Sequence, residues 1–326
     1  MTPALQGLLT IAIGVGGCVG YFFLSNLLLD RVIFPAKGAA AGRNITRANL
    51  VRPWLFLMPA LLAMGLYLVY PVIGSFYRSM FNRLGDEFIG FGNYQVMFAD
   101  STFQTALFNN FLWVLFVPAS ATFLGLLVAQ LTDRLSWGNI AKSLIFMPMA
   151  ISFVGASLIW KFVYANNPDI GLINAIRFAF GATEAMDVLQ LDFWNNFFLM
   201  IILVWIQTGF AMVILSAALR GIPEETIEAA ILDGANPFQI FFKIKIPQIM
   251  GTIVVVWTTI TILVLKVFDI VYTMTGGNFG TEILPSYMMS YMFRDDGRAT
   301  AVAFVIMLIV LPVMIWNIHQ ARKEMQ

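Results

Sequence analysis

Side chains able to do covalent chemistry are scarce in this chain, which has one cysteine, Cys18, and one histidine, His319. That count excludes an internal disulfide and supplies no Cys/His metal set. No G-x-x-x-x-G-K-[ST] phosphate loop occurs, so any ATP energy must come from another chain. What remains is polar groups in unexpected places. The run from Ile222 to Ala235 carries Glu224, Glu225, Glu228 and Asp233 between two long apolar stretches. Gln207, which both donates and accepts hydrogen bonds, sits in the largely apolar segment Trp205-Ile206-Gln207-Thr208-Gly209-Phe210. Lys266 and Asp269 interrupt another apolar run, where a lysine or aspartate at a helix centre costs roughly 2.5–3.5 kcal/mol. At i and i+3 of one helix they share a face and can pair. Two readings stay open for them: a lysine snorkelling outward beside its own counter-ion, or a pair lining a polar cavity.

The charged run reads as a short, capped helix. Pro223 suits a first helical position, where its missing N–H costs nothing, and Glu224 and Glu225 favour the positive end of the helix dipole. Ile227, Ala230, Ile231 and Gly234 recur at i, i+3, i+4 and i+7 and define one face, with Glu228 and Asp233 off it. Gly234 either ends the helix in a left-handed conformation or admits another backbone. Asn236-Pro237 blocks continuation, and the chain then runs to Pro247, where the next apolar stretch begins. About 11 residues at 1.5 Å each give a rod of some 16 Å, clamped between prolines. Such a rod passes on motion as a rigid body.

The elements that must position these groups are membrane helices. The 326-residue chain is 60% hydrophobic and 11% charged, against about 25% charged in soluble domains. The fold class is therefore an all-α integral membrane protein. Seven stretches approach the roughly 20 apolar residues that a span needs: 4–29, 53–77, 104–131, 143–164, 195–219, 249–271 and 299–318. The first lacks a basic n-region and a small-residue cleavage site, so it reads as a retained helix. Most basic residues fall in alternate connections: 30–52, 132–142 (Arg134, Lys142), 220–248 (Arg220, Lys243, Lys245) and the tail (Arg322, Lys323). The positive-inside rule then puts the N-terminus outside, the C-terminus inside and the charged helix in the cytoplasm. The stretch 170–180 is too short to span and reads as an interfacial helix. Trp160, Tyr164 and Trp194 read as interface-belt residues, and Pro118 and Pro148 as kinks; Gly16-x-x-x-Gly20 permits close helix contact, but the tolerance of membrane helices for glycine explains it equally well. A net charge of +1 gives no reason to expect nucleic acid.

Glu228-Ala229-Ala230, then Gly234, then Ile244-x-Ile246-Pro247 resembles the E-A-A–x3–G–x9–I-x-L-P signature of ABC importer permeases, with Ile in place of Leu at 246. Two further segments extend the resemblance to the carbohydrate importers of that family. Gly90-Phe91-Gly92-Asn93-Tyr94 is similar to their F-x-G-x-x-N-Y element. Val267-Phe268-Asp269-Ile270-Val271-Tyr272 with Thr275-Gly276-Gly277 is similar to their F-D–x2-Y–x2-T-G-G segment. The match covers roughly residues 53–323.

The resemblance implies a six-helix importer domain, 53–326, with its coupling loop at 220–248. An extra helix and basic loop, 1–52, precede it, as in some maltose- and α-glucoside-type members. The short 78–103 loop lacks the large insertion of the maltose-type subunit, which favours an α-glucoside or related oligosaccharide. By the same resemblance Glu228, Ala229, Ala230, Asp233 and Gly234 dock on a cytoplasmic ATPase. Ile206, Gln207 and Phe210 would line the sugar site, with Lys266 and Asp269 as further candidates.

The implied partners are a second permease, two ATP-binding subunits that hold the ATP and Mg, an extracytoplasmic sugar-binding protein and the bilayer of the bacterial inner membrane. The chain itself would carry no cofactor, no metal and no catalytic residue. A secondary transporter is the alternative, and it would show inverted repeats, broken helices and intramembrane acids. None of these is evident in the sequence.

Overall fold

A computed structural model describes residues 2–37, 41–133 and 135–324. Arg134, one of the residues used for orientation, lies outside the described residues, as do the side chains of Arg322 and Lys323. All regular structure among the described residues is helical, apart from one bridge pairing Phe81 with Phe88. The chain divides into two compact units, Met1–Gly74 and Ser75–Gln326.

The first unit is a helical hairpin. It holds α1 (Pro3–Leu28), extended by a π-turn to Ile33, and α2 (Ala41–Met64). The Arg52 guanidinium donates to both Asp30 carboxylate oxygens at 2.7 and 3.0 Å, and the Tyr21 hydroxyl donates to the Leu55 carbonyl at 2.9 Å. Helix α2 starts twelve residues before the expected span, so half of the basic connection 30–52 is itself helical. Pro53 and Pro59 lie inside α2 without ending it, as membrane helices tolerate. A Cβ at Gly16 or Gly20 would meet nothing within 4 Å, which fits the reading of these glycines as merely tolerated in a membrane helix.

The division between units falls within α3 (Tyr70–Arg78). The second unit continues with α4 (Gly92–Ala99) and then the long α5 (Ser101–Thr132), where Asp100 caps the first turn by accepting from Thr102 N at 2.9 Å. Pro118 is buried within α5 and does not end it. Next come α6 (Gly138–Phe146), a 3-10 turn (Met147–Ala150) and α7 (Phe153–Val163). This pair was expected as one span, 143–164. It is instead bent by 106°, because Pro148 tightens the turn, Ile151 is extended and the Ser152 hydroxyl caps α7 by accepting from Gly155 N at 3.1 Å. The interfacial helix expected at 170–180 is α8 (Leu172–Ala179). Tyr164 is not a belt residue: it is 2% exposed and its hydroxyl donates to the Phe198 carbonyl at 2.8 Å.

Helix α9 (Trp194–Arg220) is the best-buried span, with 61% of its apolar window inside the protein. It packs along α5, where Leu199, Leu203, Met212 and Leu215 meet Trp113, Val117 and Ala121 in one core. Small residues allow the approach. A Cβ at Gly125 would stand 2.5 Å from the Ala211 Cβ and 2.8 Å from the Met212 nitrogen, and one at Gly209 would stand 2.7 Å from the Ile145 carbonyl oxygen.

After α9 come α10 (Glu224–Leu232), α11 (Pro237–Gln239), a π-turn (Ile240–Lys245) and α12 (Ile246–Gln248). Helix α13 (Met250–Val264) follows at 69° to the segment 237–248. The chain ends with α14 (Asp269–Met274), α15 (Leu284–Tyr291) and α16 (Asp296–Glu324). The expected span 249–271 is therefore broken after Val264. Among the described residues, five helices are long and apolar enough to cross a membrane, or up to seven if each bent pair is one span.

The segment between α14 and α15 is held by asparagines of two neighbouring helices. Asn109 of α5 donates to the carbonyls of Gly280 and Glu282, both at 2.7 Å, while Asn110 accepts from Leu284 N at 2.7 Å. Asn195 of α9 donates to the Phe279 carbonyl at 2.6 Å. Asn109→Ala is expected to destabilise the protein by about 1–3 kcal/mol, the cost of leaving buried carbonyls unsatisfied. Thermal unfolding in detergent reads this directly. An unchanged midpoint would mean that the segment holds its shape without Asn109.

Candidate functional site

Helix α10 is nine residues long and begins after Pro223, which has an extended ψ of 133° and stands at the cap, one place before its expected position. The helix closes on Gly234, whose φ is +80°. Gly234 N–H donates to the Ile231 carbonyl at 3.0 Å and Ala235 N–H to the Ala230 carbonyl at 2.9 Å. This 5→2 and 6→1 pairing is the Schellman end, in which glycine avoids the left-handed penalty. Asn236 and Gln239 then form a reciprocal capping box, each bond 2.9 Å. Every junction from 223 to 247 is thus fixed by a cap or a proline, and none is a flexible linker.

The faces of α10 are unequal. Ile227 packs against the main core and Ala230 is 8% exposed. Glu224, Glu225, Glu228, Ala229, Ile231, Asp233 and Gly234 are exposed. The apolar face expected from periodicity is therefore split: Ile227 and Ala230 seat the helix on its own chain, while Ile231 and Gly234 lie open. Leu232 and Phe238 are 88% and 76% exposed in the same loop as the acids.

Below this loop, Lys245 donates to the Gln130 side-chain carbonyl at 3.2 Å, linking it to α5. At its root, Asp133, the residue that ends α5, lies 3.6 Å from the Lys142 ammonium of α6 and 3.7 Å from the Arg220 guanidinium of α9. Lys142 also donates to the Ser216 hydroxyl at 2.6 Å. Sequence reading missed this cluster, whose only signal is charge at the ends of three apolar stretches.

Of the candidate substrate residues, Ile206 and Gln207 are 1% and 4% exposed within the core of α9, and Phe210 is partly buried. Among the described residues the Gln207 amide has no hydrogen-bond partner. A groove of about 710 Å³ runs along the same segment but is lined by its other face, Trp205 and Thr208, together with Phe116, Ser120, Pro148 and Trp160. The two tryptophan rings meet edge-on at 5.7 Å. Lys266 and Asp269 do not share a helix face, because α13 stops at Val264 and Asp269 opens α14. Lys266 is exposed, Asp269 half-buried, and no ion pair joins them.

The other two motifs shape the backbone. Asn93 donates to the Ser79 and Phe81 carbonyls at 2.8 and 2.7 Å, and the Tyr94 hydroxyl lies 2.7 Å from that of Ser79. Gly276 and Gly277 form a turn at φ +62° and +82°. No group of three or more possible metal ligands occurs among the described residues.

Residues 121–325 match the family "Binding-protein-dependent transport system inner membrane component". The chain belongs to this family. It is 60% identical to an alpha-glucoside transport system permease protein of Rhizobium meliloti, across 99% of both chains. It is 48% identical to an osmoprotective compounds uptake permease protein of Synechocystis, across 83% of this chain and 99% of that one. Among solved structures, a bacterial ABC transporter that imports alginate shares the fold, with a TM-score of 0.70 at 21% identity over 86% of this chain and 98% of that one. The protein is therefore a multi-pass permease subunit of an ABC importer, with ATP hydrolysis carried out by separate subunits. The secondary-transporter alternative gains no support from these relatives.

Proposed function

We propose that this permease imports an α-glucoside, drawing its energy from ATPase subunits that grip the loop 223–247. The single observation carrying the substrate class is the 60% identity, end to end, to a permease named for alpha-glucoside transport. In this reading Glu228, Ala229, Asp233 and Gly234 contact the ATPase, and Ala230 supports them from beneath. The capped, proline-bounded loop transmits ATPase closure to α9 and α13, and the bundle switches between inward- and outward-facing states. ATP and Mg bind on two partner subunits, and a second, related permease completes the pathway. An extracytoplasmic binding protein delivers the sugar.

Seven spans, with the N-terminus outside and the C-terminus inside the bacterial inner membrane, place α10 on the ATPase side. Residues 1–52 add a helix and basic loop to the importer domain, 53–326. A glutamine only 4% exposed in the middle of an apolar helix supports a ligand-facing role for Ile206, Gln207 and Phe210 once the partner permease is in place. Lys266 and Asp269 then serve as separate polar groups near that path.

The test is ATP hydrolysis by the assembled importer in lipid, with its binding protein loaded in turn with maltose, sucrose, trehalose or glucosylglycerol. Stimulation by an α-glucoside is expected. Stimulation by none of these sugars would reject the substrate class.

A further inference from the structure

We infer that the segment between α14 and α16 carries a second sugar-binding pocket, a vestibule selective for neutral polyols and lined by Tyr272, Glu282, Ser286, Ser290 and Arg294. The inference rests on the import reading and adds to it a site away from Gln207. The cavity is about 340 Å³, within the size range of small-ligand sites. Its lining combines three chemistries. Tyr272 is exposed and stacks on Phe268, with ring centroids 4.8 Å apart and planes 27° apart, giving an aromatic platform for the C–H face of a sugar ring. Glu282 supplies carboxylate acceptors for paired hydroxyls, and Arg294 supplies guanidinium donors. Neither charge is spent on an ion pair among the described residues.

The carboxylate is deliberately housed. A Cβ at Gly277 would fall on the Glu282 carboxylate, so only glycine leaves room for it. The Glu282 backbone carbonyl is fixed by Asn109 at 2.7 Å. Burial raises the Glu282 pKa, and a poorly solvated acceptor gains more from a ligand hydroxyl than an exposed one does. Ser290 gives its proton to the Tyr287 carbonyl at 2.7 Å, leaving its oxygen as an acceptor. The half-buried Glu282 carboxylate repels an anionic sugar, and Arg294, exposed and screened by solvent, offsets this only weakly, so a neutral polyol is the favoured occupant. Tyr272 lies one helical turn after Asp269 on α14, which connects the vestibule to a residue already read as a substrate candidate.

The test is cysteine protection in the complete importer, reconstituted with its ATPases and binding protein. With Cys18→Ser as background, Ser290→Cys is labelled by a membrane-impermeant maleimide in the presence of maltose or of its anionic relative maltobionate, while maltose uptake is followed in the same vesicles. Maltose is expected to slow labelling and maltobionate to leave it unchanged. Adding Glu282→Gln is expected to raise the maltose concentration needed for protection about tenfold, since a charge-assisted hydrogen bond becomes a neutral one. Uptake without protection would overturn the vestibule and leave the import reading intact. Equal protection by maltobionate would overturn its selectivity for neutral sugars. Absence of both uptake and protection would defeat the import reading, and the vestibule with it.

Discussion

Replacing Gly234 with aspartate is expected to abolish sugar uptake while leaving the chain inserted and folded. Gly234 holds φ +80°, a conformation that costs an L-residue roughly 1–2 kcal/mol, with aspartate among the residues that tolerate it. A Cβ there meets nothing of its own chain within 4 Å, so the substitution does not clash inside the permease. Its charge, beside Asp233, points where the ATPase would sit. Backbone strain alone accounts for a loss of about tenfold at 1.4 kcal/mol per factor of ten, and Gly234→Ala reports that part. Uptake by Gly234→Asp should fall well below the alanine variant at equal membrane content. Uptake at the wild-type rate would show that nothing docks at Gly234.

The second large effect lies where α5 meets α9. Gly125→Leu is expected to prevent recovery of a monodisperse permease, because even a methyl group would stand 2.5 Å from the Ala211 Cβ and 2.8 Å from the Met212 backbone nitrogen. The nitrogen belongs to a rigid helix and cannot swing aside as a side chain tip would. Overpacking of this kind costs about 1–3 kcal/mol for a small group and more for a larger one, so Gly125→Ala should lower the melting temperature and Gly125→Leu should abolish folding. Size-exclusion profiles and thermal unfolding in detergent give both readings. Wild-type behaviour of Gly125→Leu would mean that the close α5–α9 packing is dispensable.

The charged loop was legible in the sequence because its determinants are local. Pro223, the acids of the first turn, Gly234 and Asn236-Pro237 each act within a few residues of themselves, although Pro223 stands one place before its expected position and Asn236, expected only as a break, also caps the next helix. Five of the expected spans are helices for the same reason, since apolar length is read directly. The breaks after Ile151 and Val264 were hidden because hydropathy continues across them, while the chain turns in response to Pro148, Ser152 and the packing of α14 on α7 and α9.

Side-chain roles that depend on distant partners were hidden as well. Asn109 and Asn195 find their carbonyls, and Asn110 its N–H donor at Leu284, at separations in sequence of 84 to 174 residues. Ala230 matched the docking motif by position, but its burial depends on how α10 sits on its own chain. The face pairing of Lys266 with Asp269 presumed one continuous helix, and the helix stops between them.

The most direct measurement is uptake of a radiolabelled α-glucoside by proteoliposomes holding this chain, its partner permease and the loaded binding protein, with the ATPase subunits present or omitted. A permease driven through the 223–247 loop gives uptake only when the ATPases and ATP are both supplied, and none with Gly234→Asp. Uptake that continues at an undiminished rate without the ATPase subunits would contradict it.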